Sequence, residues 1–247
     1  MTWRVIPLHT ETAAMNMAID EAVSESARGG QPTIRFWTWS PGAVSIGYFQ
    51  SMKDEVNLEK CKELGIDIVR RRTGGGAVYH DSKRELTYSV IAPSSMFPQD
   101  LTACYKEICG WLVKGFANLG IQSEFKPIND IIVSGKKISG NAATIRSDVL
   151  LQHGTILHDL DVREMFSLLK VSKEKISDKA IATVEERVTR ILDHKPGLTI
   201  QQSYQAFLRA FTEGKDFEIA GLTEGELKRA KALAENKYSK DEWNFWR

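Results

Sequence analysis

The sequence predicts an α+β fold, mixed β-sheet with packed helices, and two observations carry that reading. Up to about residue 160, helix-period and strand-like segments alternate, whereas beyond Asp159 nearly every segment has helical spacing and a charged face. No internal repeat, low-complexity tract or long Pro/Gly linker interrupts the chain. Residues 1–247 therefore read as one domain, with an α/β core over 1–160 that carries the site and a mainly helical part over 161–247.

The elements follow in order. From Thr12 to Arg28, Met15, Ala18, Ile19, Ala22 and Val23 recur at helical spacing and Gly29-Gly30 ends the run, which predicts an amphipathic helix. Thr33–Trp39, Ala43–Phe49, Ile66–Arg70, Ala77–His80 and Leu86–Ile91 are rich in β-branched and aromatic residues, with Pro41-Gly42 and Gly74–Gly76 between them. They are expected to be strands of one sheet. Leu101, Tyr105, Ile108, Leu112, Phe116 and Leu119 mark a second helix that Gly120 terminates. Asp130–Val133 and Lys137–Ser139 flank Ser134-Gly135, a hairpin signal, and Val149–Leu157 is a further extended run. Val162–Leu169, Thr183–Leu192, Thr199–Phe211 and Glu224–Tyr238 then have helical spacing.

Composition excludes several function classes. With 42% hydrophobic residues the chain can bury a sizeable core, so disorder is excluded. The 33 basic and 32 acidic side chains leave a net charge of +1, too little to steer nucleic acid or an anionic membrane. No secretory leader pattern opens the chain and no run of about 18 apolar residues occurs, so the expected location is cytoplasmic. Cys61, Cys104 and Cys109 have no CxxC spacing, which points to idle thiols and not to disulfides or zinc.

The most informative stretch is Arg70-Arg71-Arg72-Thr73-Gly74-Gly75-Gly76-Ala77-Val78-Tyr79-His80-Asp81. Consecutive glycines let backbone approach a ligand and turn N–H groups toward an anion, and arginine supplies forked donors for phosphate or carboxylate. It is neither a Walker A loop nor a GxGxxG fingerprint.

RRRTGGGAVYHD resembles the signature of the lipoate-protein ligase A family, whose loop wraps lipoyl-AMP. Asn129-Asp130 followed by Gly135-Lys136-Lys137-Ile138-Ser139-Gly140-Asn141-Ala142 resembles the segment carrying that family's active-site lysine, matched by Lys137. Gln152-His153-Gly154-Thr155-Ile156-Leu157, Val184–Thr189 and Asp241-Glu242-Trp243-Asn244-Phe245 resemble further family segments in the family's order. The resemblance spans nearly the whole chain. It implies the class II synthetase-like fold shared with biotin-protein ligases. The implied activity is ATP-dependent conversion of lipoate to lipoyl-AMP and pyrophosphate, then transfer to a lysine of an acceptor lipoyl domain. ATP and Mg2+ are the implied cofactors. The implied acceptors are 2-oxoacid dehydrogenase acyltransferase subunits, the glycine cleavage H protein or another lipoyl carrier.

The resemblance also implies roles for particular residues. Arg71 and Thr73, with Gly74 and Gly75 between the strands, would bind the phosphates or the lipoyl carbonyl region. Gly76, Ala77 and Val78 would give main-chain contacts, and His80 would line the site. Asn129 and Asp130 belong to the lysine segment with Ser139, Gly140 and Ala142, and Asp130 is the expected magnesium-linked carboxylate. His153, Gly154 and Thr155 would face the pocket, with His153 toward the lipoyl end. Gly47, in Ile46-Gly47-Tyr48-Phe49-Gln50, would let the dithiolane tail pack while the two aromatics close an apolar tunnel. The chemistry accounts for the lysine: joining a carboxylate to an α-phosphate brings two anions together, and a compact point charge can stabilise both steps. Lys136 and Lys137 must point to opposite faces of a strand, and the family pattern selects Lys137.

Two alternatives stand beside the ligase. An octanoyl-carrier-protein transferase of the same fold takes its acyl group from a thioester and needs a cysteine nucleophile. Phe125–Val133 contains none and no cysteine follows Cys109. A lipoyl-binding protein without catalysis would not need Arg71, Asp130 and Lys137 together. Longer ligases of the family continue into a C-terminal accessory domain of roughly one hundred residues, whereas this sequence stops at Arg247. A separate accessory protein is therefore expected.

Overall fold

The computed structural model describes residues 1–170 and 185–247. In chain order it contains β1 (Trp3–Glu11), α1 (Ala13–Ser26), β2 (Thr33–Trp39), β3 (Ala43–Ile46), α2 (Met52–Glu55), α3 (Leu58–Leu64), β4 (Asp67–Arg70), β5 (Val78–His80) and β6 (Glu85–Pro93). There follow α4 (Leu101–Asn118), β7 (Glu124–Lys126), β8 (Asp130–Val133), β9 (Lys136–Arg146), β10 (Val149–Leu157) and α5 (Val162–Leu168). The last elements are α6 (Ile191–His194), α7 (Ile200–Thr212), β11 (Phe217–Ile219), α8 (Glu224–Leu233) and α9 (Asp241–Asn244). The expected helix over 183–192 lies partly outside the described residues, and α6 is the part seen beyond Arg190.

The strands form two sheets, not the one expected. An eight-stranded mixed sheet runs β11-β1-β2-β6-β10-β9-β8-β7, and a separate three-stranded sheet runs β4-β3-β5. Strands β3, β4 and β5 are short, and their own apolar cluster of Val44, Ile46, Val56, Tyr79 and Leu168 is distinct from the two clusters that cover the large sheet. The turn at Ser134-Gly135 is the predicted hairpin: both residues have positive φ, 49° and 80°, and they join β8 to β9.

Alternation along β2 explains the layers. Ile34 and Phe36 join a cluster with Leu112 and Phe116 of α4 and Phe207 and Phe211 of α7. Trp37 and Trp39 belong to the opposite cluster with Ala18, Ile19 and Ala22 of α1 and Ala230 and Leu233 of α8. Phe36 meets Tyr204 and Phe211 edge-on, at 5.5 and 5.2 Å between ring centroids. Such pairs add about 0.5–1.5 kcal/mol beyond area burial. Helix α1 starts where Thr12 accepts a hydrogen bond from the Met15 amide. Among the described residues no helix is long and apolar enough to cross a membrane.

Candidate active site

A cavity of about 300 Å³ opens between the two sheets. The large sheet contributes Lys137, Gly140 and Ala142 from β9 and His153 to Thr155 from β10, while the small sheet contributes Ser45, Arg71, the loop residues Gly75 to Ala77, and Val78 to His80. Met17, Trp37, Trp39, Leu157, Leu160 and Met165 make an apolar region of the wall. Arg71 and Lys137 are the cations on it, and no carboxylate and no cysteine lines it among the described residues. Such a wall fits a ligand with an apolar tail and an anionic head.

The three consecutive arginines have separate jobs. Strand period turns Arg71 toward the cavity and Arg70 and Arg72 away. Arg70 is fully buried and donates to the carbonyls of Gly47, Tyr48, Gln50, Trp243 and Asn244, fastening α9 to the small sheet. Arg72 lies 3.8 Å from Glu21. Of the three arginines, one lines the cavity. Arg71 Nη2 donates to the carbonyls of Gly74 and Gly76 at 2.8 and 2.7 Å, and Nη1 donates to Ser45 O and Oγ, both at 3.1 Å. Burial pulls its pKa down to about 10. Every one of those acceptors is neutral, so the loop is shaped around a buried cation.

Lys136 and Lys137 divide as strand period requires. Lys136 is exposed, while Lys137 lines the cavity with its Nζ 2.7 Å from Asp130 Oδ1. The carbonyl of Lys137 accepts from the Thr189 amide at 2.8 Å, and Val188 beside it reaches the cavity wall, so the 185–189 segment backs the lysine. Val184 of that motif lies outside the described residues. Asp130 faces Lys137 and does not line the cavity. Among the described residues no group of three His, Cys, Asp or Glu is placed to hold a metal.

Asn129, Gly140, Ala142, His153, Gly154 and Thr155 line the cavity as expected, but Thr73, Gly74, Ser139 and Gly47 do not. Thr73 is fully buried, and its hydroxyl meets His153 Nε2 at 2.7 Å. His153 Nδ1 is 3.0 Å from Asp20 Oδ2, and Asp20 accepts from Arg35 at 2.6 Å. Burial lowers the pKa of His153 against the raising effect of Asp20. Burial opposes the charge of Asp20, yet Arg35 and His153 outweigh it and its pKa falls. Ser139 is likewise buried, near Asn141.

Gly47 packs against the glycine loop and does not line the cavity. A Cβ there would sit 2.1 Å from the carbonyl oxygen of Gly75, so only glycine allows the small sheet to touch the glycine loop. Tyr48 and Phe49 do not line the cavity either. Tyr48 packs with Trp243 and Trp246, and Phe49 is 65% exposed.

The sequence reading missed Trp37, Trp39 and Met17 of the apolar wall, and Ser45, Glu85 and Asp20 behind the polar one. Ser45 Oγ is 2.8 Å from His80 Nε2, and His80 Nδ1 is 2.7 Å from Glu85 Oε1. Trp39 stacks on the His80 ring at 4.1 Å. All three cysteines are free and buried away from the cavity, and burial raises the pKa of Cys61 to about 11 and of Cys109 to about 12.

Fold and site together define an α+β enzyme-like domain with a partly apolar cavity between its two sheets, and comparison with known proteins gives its family. The lipoyl protein ligase A/B catalytic domain matches residues 12–212. The chain belongs to that family. Octanoyltransferase LipM of Brevibacillus brevis is 37% identical, with 99% of each chain covered, and that of Bacillus subtilis is 33% identical over 100% of this chain and 99% of the relative. Among solved structures, a bi-partite lipoate protein ligase from Thermoplasma acidophilum is similar, with a TM-score of 0.91 at 35% identity, covering 99% of this chain and 96% of that one. A lipoate-protein ligase A bound with ATP superposes with a TM-score of 0.86 at 32% identity, covering 99% of each chain. The curated names agree with the transferase alternative weighed from the sequence, in place of its main ligase reading. The protein is an enzyme of the lipoate ligase and octanoyltransferase group, concerned with protein lipoylation.

Proposed function

We propose that this enzyme activates lipoate with ATP as lipoyl-AMP, releasing pyrophosphate, and passes the lipoyl group to a lysine of a lipoyl-domain acceptor, with octanoate as a second acyl substrate. The observation that carries this reading is that, among the described residues, the cavity wall holds two cations, Arg71 and Lys137, and neither a carboxylate nor a cysteine. The apolar wall takes the acyl chain. Arg71, the backbone of Gly75 to Ala77 and Lys137 face the junction of carboxylate and α-phosphate, where opposing negative charge must be neutralised. Lys137 then polarises the mixed anhydride for attack by the acceptor amine. Magnesium would arrive with the nucleotide and mask phosphate charge. With no lining carboxylate among the described residues, it would draw most of its oxygens from phosphates and water, and Asp130, beside Lys137, would be the carboxylate available to join them. The bi-partite organisation of the Thermoplasma ligase supports a separate accessory protein for this chain too.

The second reading, octanoyl transfer from a carrier thioester, is favoured by the names of the full-length curated relatives. It needs a nucleophile at the acyl group. One experiment separates the two. Lipoate-dependent exchange of pyrophosphate into ATP is expected, tested with and without a candidate accessory protein. Acyl transfer to a lipoyl domain from an octanoyl thioester without ATP, and no exchange, would establish the transferase instead.

A further inference from the structure

Two hydroxyl–imidazole–carboxylate chains flank the cavity, and the donor inventory fixes the direction of each. Arginine can only donate, so Ser45 Oγ accepts from Arg71 Nη1. Ionised Glu85 can only accept, so His80 carries its proton on Nδ1 and leaves Nε2 to receive the Ser45 hydroxyl proton. Thr87 also donates to Glu85, and Trp39 donates to Thr87, which locks the far end. In the other chain Thr73 donates to His153, whose opposite nitrogen donates to Asp20. The two differ at their open ends. Both residues are buried, but Thr73 does not line the cavity, whereas Ser45 borders it beside Arg71 and retains an acceptor lone pair.

We propose that Ser45, His80 and Glu85 form the proton acceptor for the acyl-transfer step. A lysine ammonium loses two protons on becoming an amide. The first goes to solvent and frees the nitrogen lone pair. The second leaves as the nitrogen bonds to the acyl carbon: it passes to Ser45 Oγ while the serine's own proton passes to His80 Nε2. The acyl C–O bond to adenylate then breaks, and the phosphate keeps the electron pair. The imidazolium, held against Glu85, returns its proton to solvent after the products leave. The other candidates are less suited, because Asp130 does not line the cavity and neither does the Thr73 hydroxyl that meets His153. This assignment rests on the reading that Arg71 faces the acyl-adenylate.

The test exploits the fact that only transfer, and not adenylation, releases these protons. Chemically made lipoyl-AMP and an acceptor lipoyl domain measure transfer in a single turnover, and pyrophosphate exchange measures adenylation. Ser45→Ala and Glu85→Gln are expected to lower the ratio of transfer to adenylation by about tenfold or more, within the range of general base catalysis. Ser45→Thr, which keeps the hydroxyl, should recover part of it. A ratio unchanged from wild type, whether both rates fall together or neither falls, overturns the proposal and leaves the chain as a brace for Arg71. If Glu85→Gln does not fold, the Ser45→Ala and Ser45→Thr pair decides. Absence of exchange in the wild-type enzyme would count against the ligase reading alone, since transfer from preformed adenylate remains measurable.

Discussion

Arg71 and Lys137 reach one cavity from opposite sheets, and they are held in opposite ways. Arg71 is 5% exposed and spends its guanidinium on four neutral acceptors of the small sheet and its loop. Lys137 has a side chain 42% exposed and a single ion pair, to Asp130. Its chain lies across Gly140, where a Cβ would stand 2.7 Å from Nζ. The difference teaches that the site separates a fixed charge from a movable one. A preorganised cation costs no reorganisation when the anion arrives. A lysine on a flexible stem can leave its carboxylate and follow the reacting oxygen.

With charge divided in this way, Lys137→Ala has the largest expected effect. Pyrophosphate exchange is expected to fall about a hundredfold to a thousandfold, the usual loss for one donor at a developing charge. Lys136→Ala, on the exposed face of the same strand, should stay within about twofold. Equal damage from the two would remove Lys137 from the chemistry.

Arg71→Lys sharpens the contrast, since it keeps the charge and loses the fork. An ammonium cannot span Ser45, Gly74 and Gly76 together, so two or more hydrogen bonds of about 1 kcal/mol each are lost. A drop of roughly tenfold to a hundredfold in kcat/KM for ATP is expected. Wild-type kinetics in this variant would show that charge alone matters.

Gly47→Ala probes the same loop without touching a charge. The added methyl must displace the Gly75 carbonyl, a strain of roughly 1–3 kcal/mol. A rise of about tenfold in the KM for ATP, with unchanged Lys137 chemistry once substrate saturates, is the expected result. An unaltered KM would break the link between Gly47 and the cradle.

How much of this was legible in the sequence depended on whether a local rule applied. Strand period separated Lys137 from Lys136, and the glycine run marked the loop. The apolar wall was not legible, because β2 is covered on both faces and Phe36 and Trp37 look equally like core. Strand β1 escaped notice because its register shifts between Ile6 and His9, around Pro7, which breaks the alternation. Strand β11 is only three residues long. Asp20 and Glu85 could not be assigned because they act across the fold, Asp20 on a histidine 133 positions away. The separateness of the three-stranded sheet is not legible, because pairing partners are not written in strand composition.

The smallest expected effect tests the comparison between this chain and its transferase relatives. Cys61 sits in the cluster of the small sheet, and Cys104 and Cys109 lie on the buried face of α4 in the main core. Burial holds all three thiols above the usual cysteine range, the opposite of what a nucleophile needs. Replacing all three by alanine removes three buried sulfurs and should lower stability by a few tenths to about 1 kcal/mol at each site. ATP-dependent lipoylation, measured as the mass gain of an acceptor domain below the variant's melting temperature, should stay within about twofold of wild type, because no step of the adenylate route passes through sulfur. A folded triple variant that loses acyl transfer, or a thioester-linked acyl group trapped on the wild-type chain, would replace the ligase reading with the transferase one. Such a result would also require a cysteine to move from the core to the cavity, since none lines it in this structure.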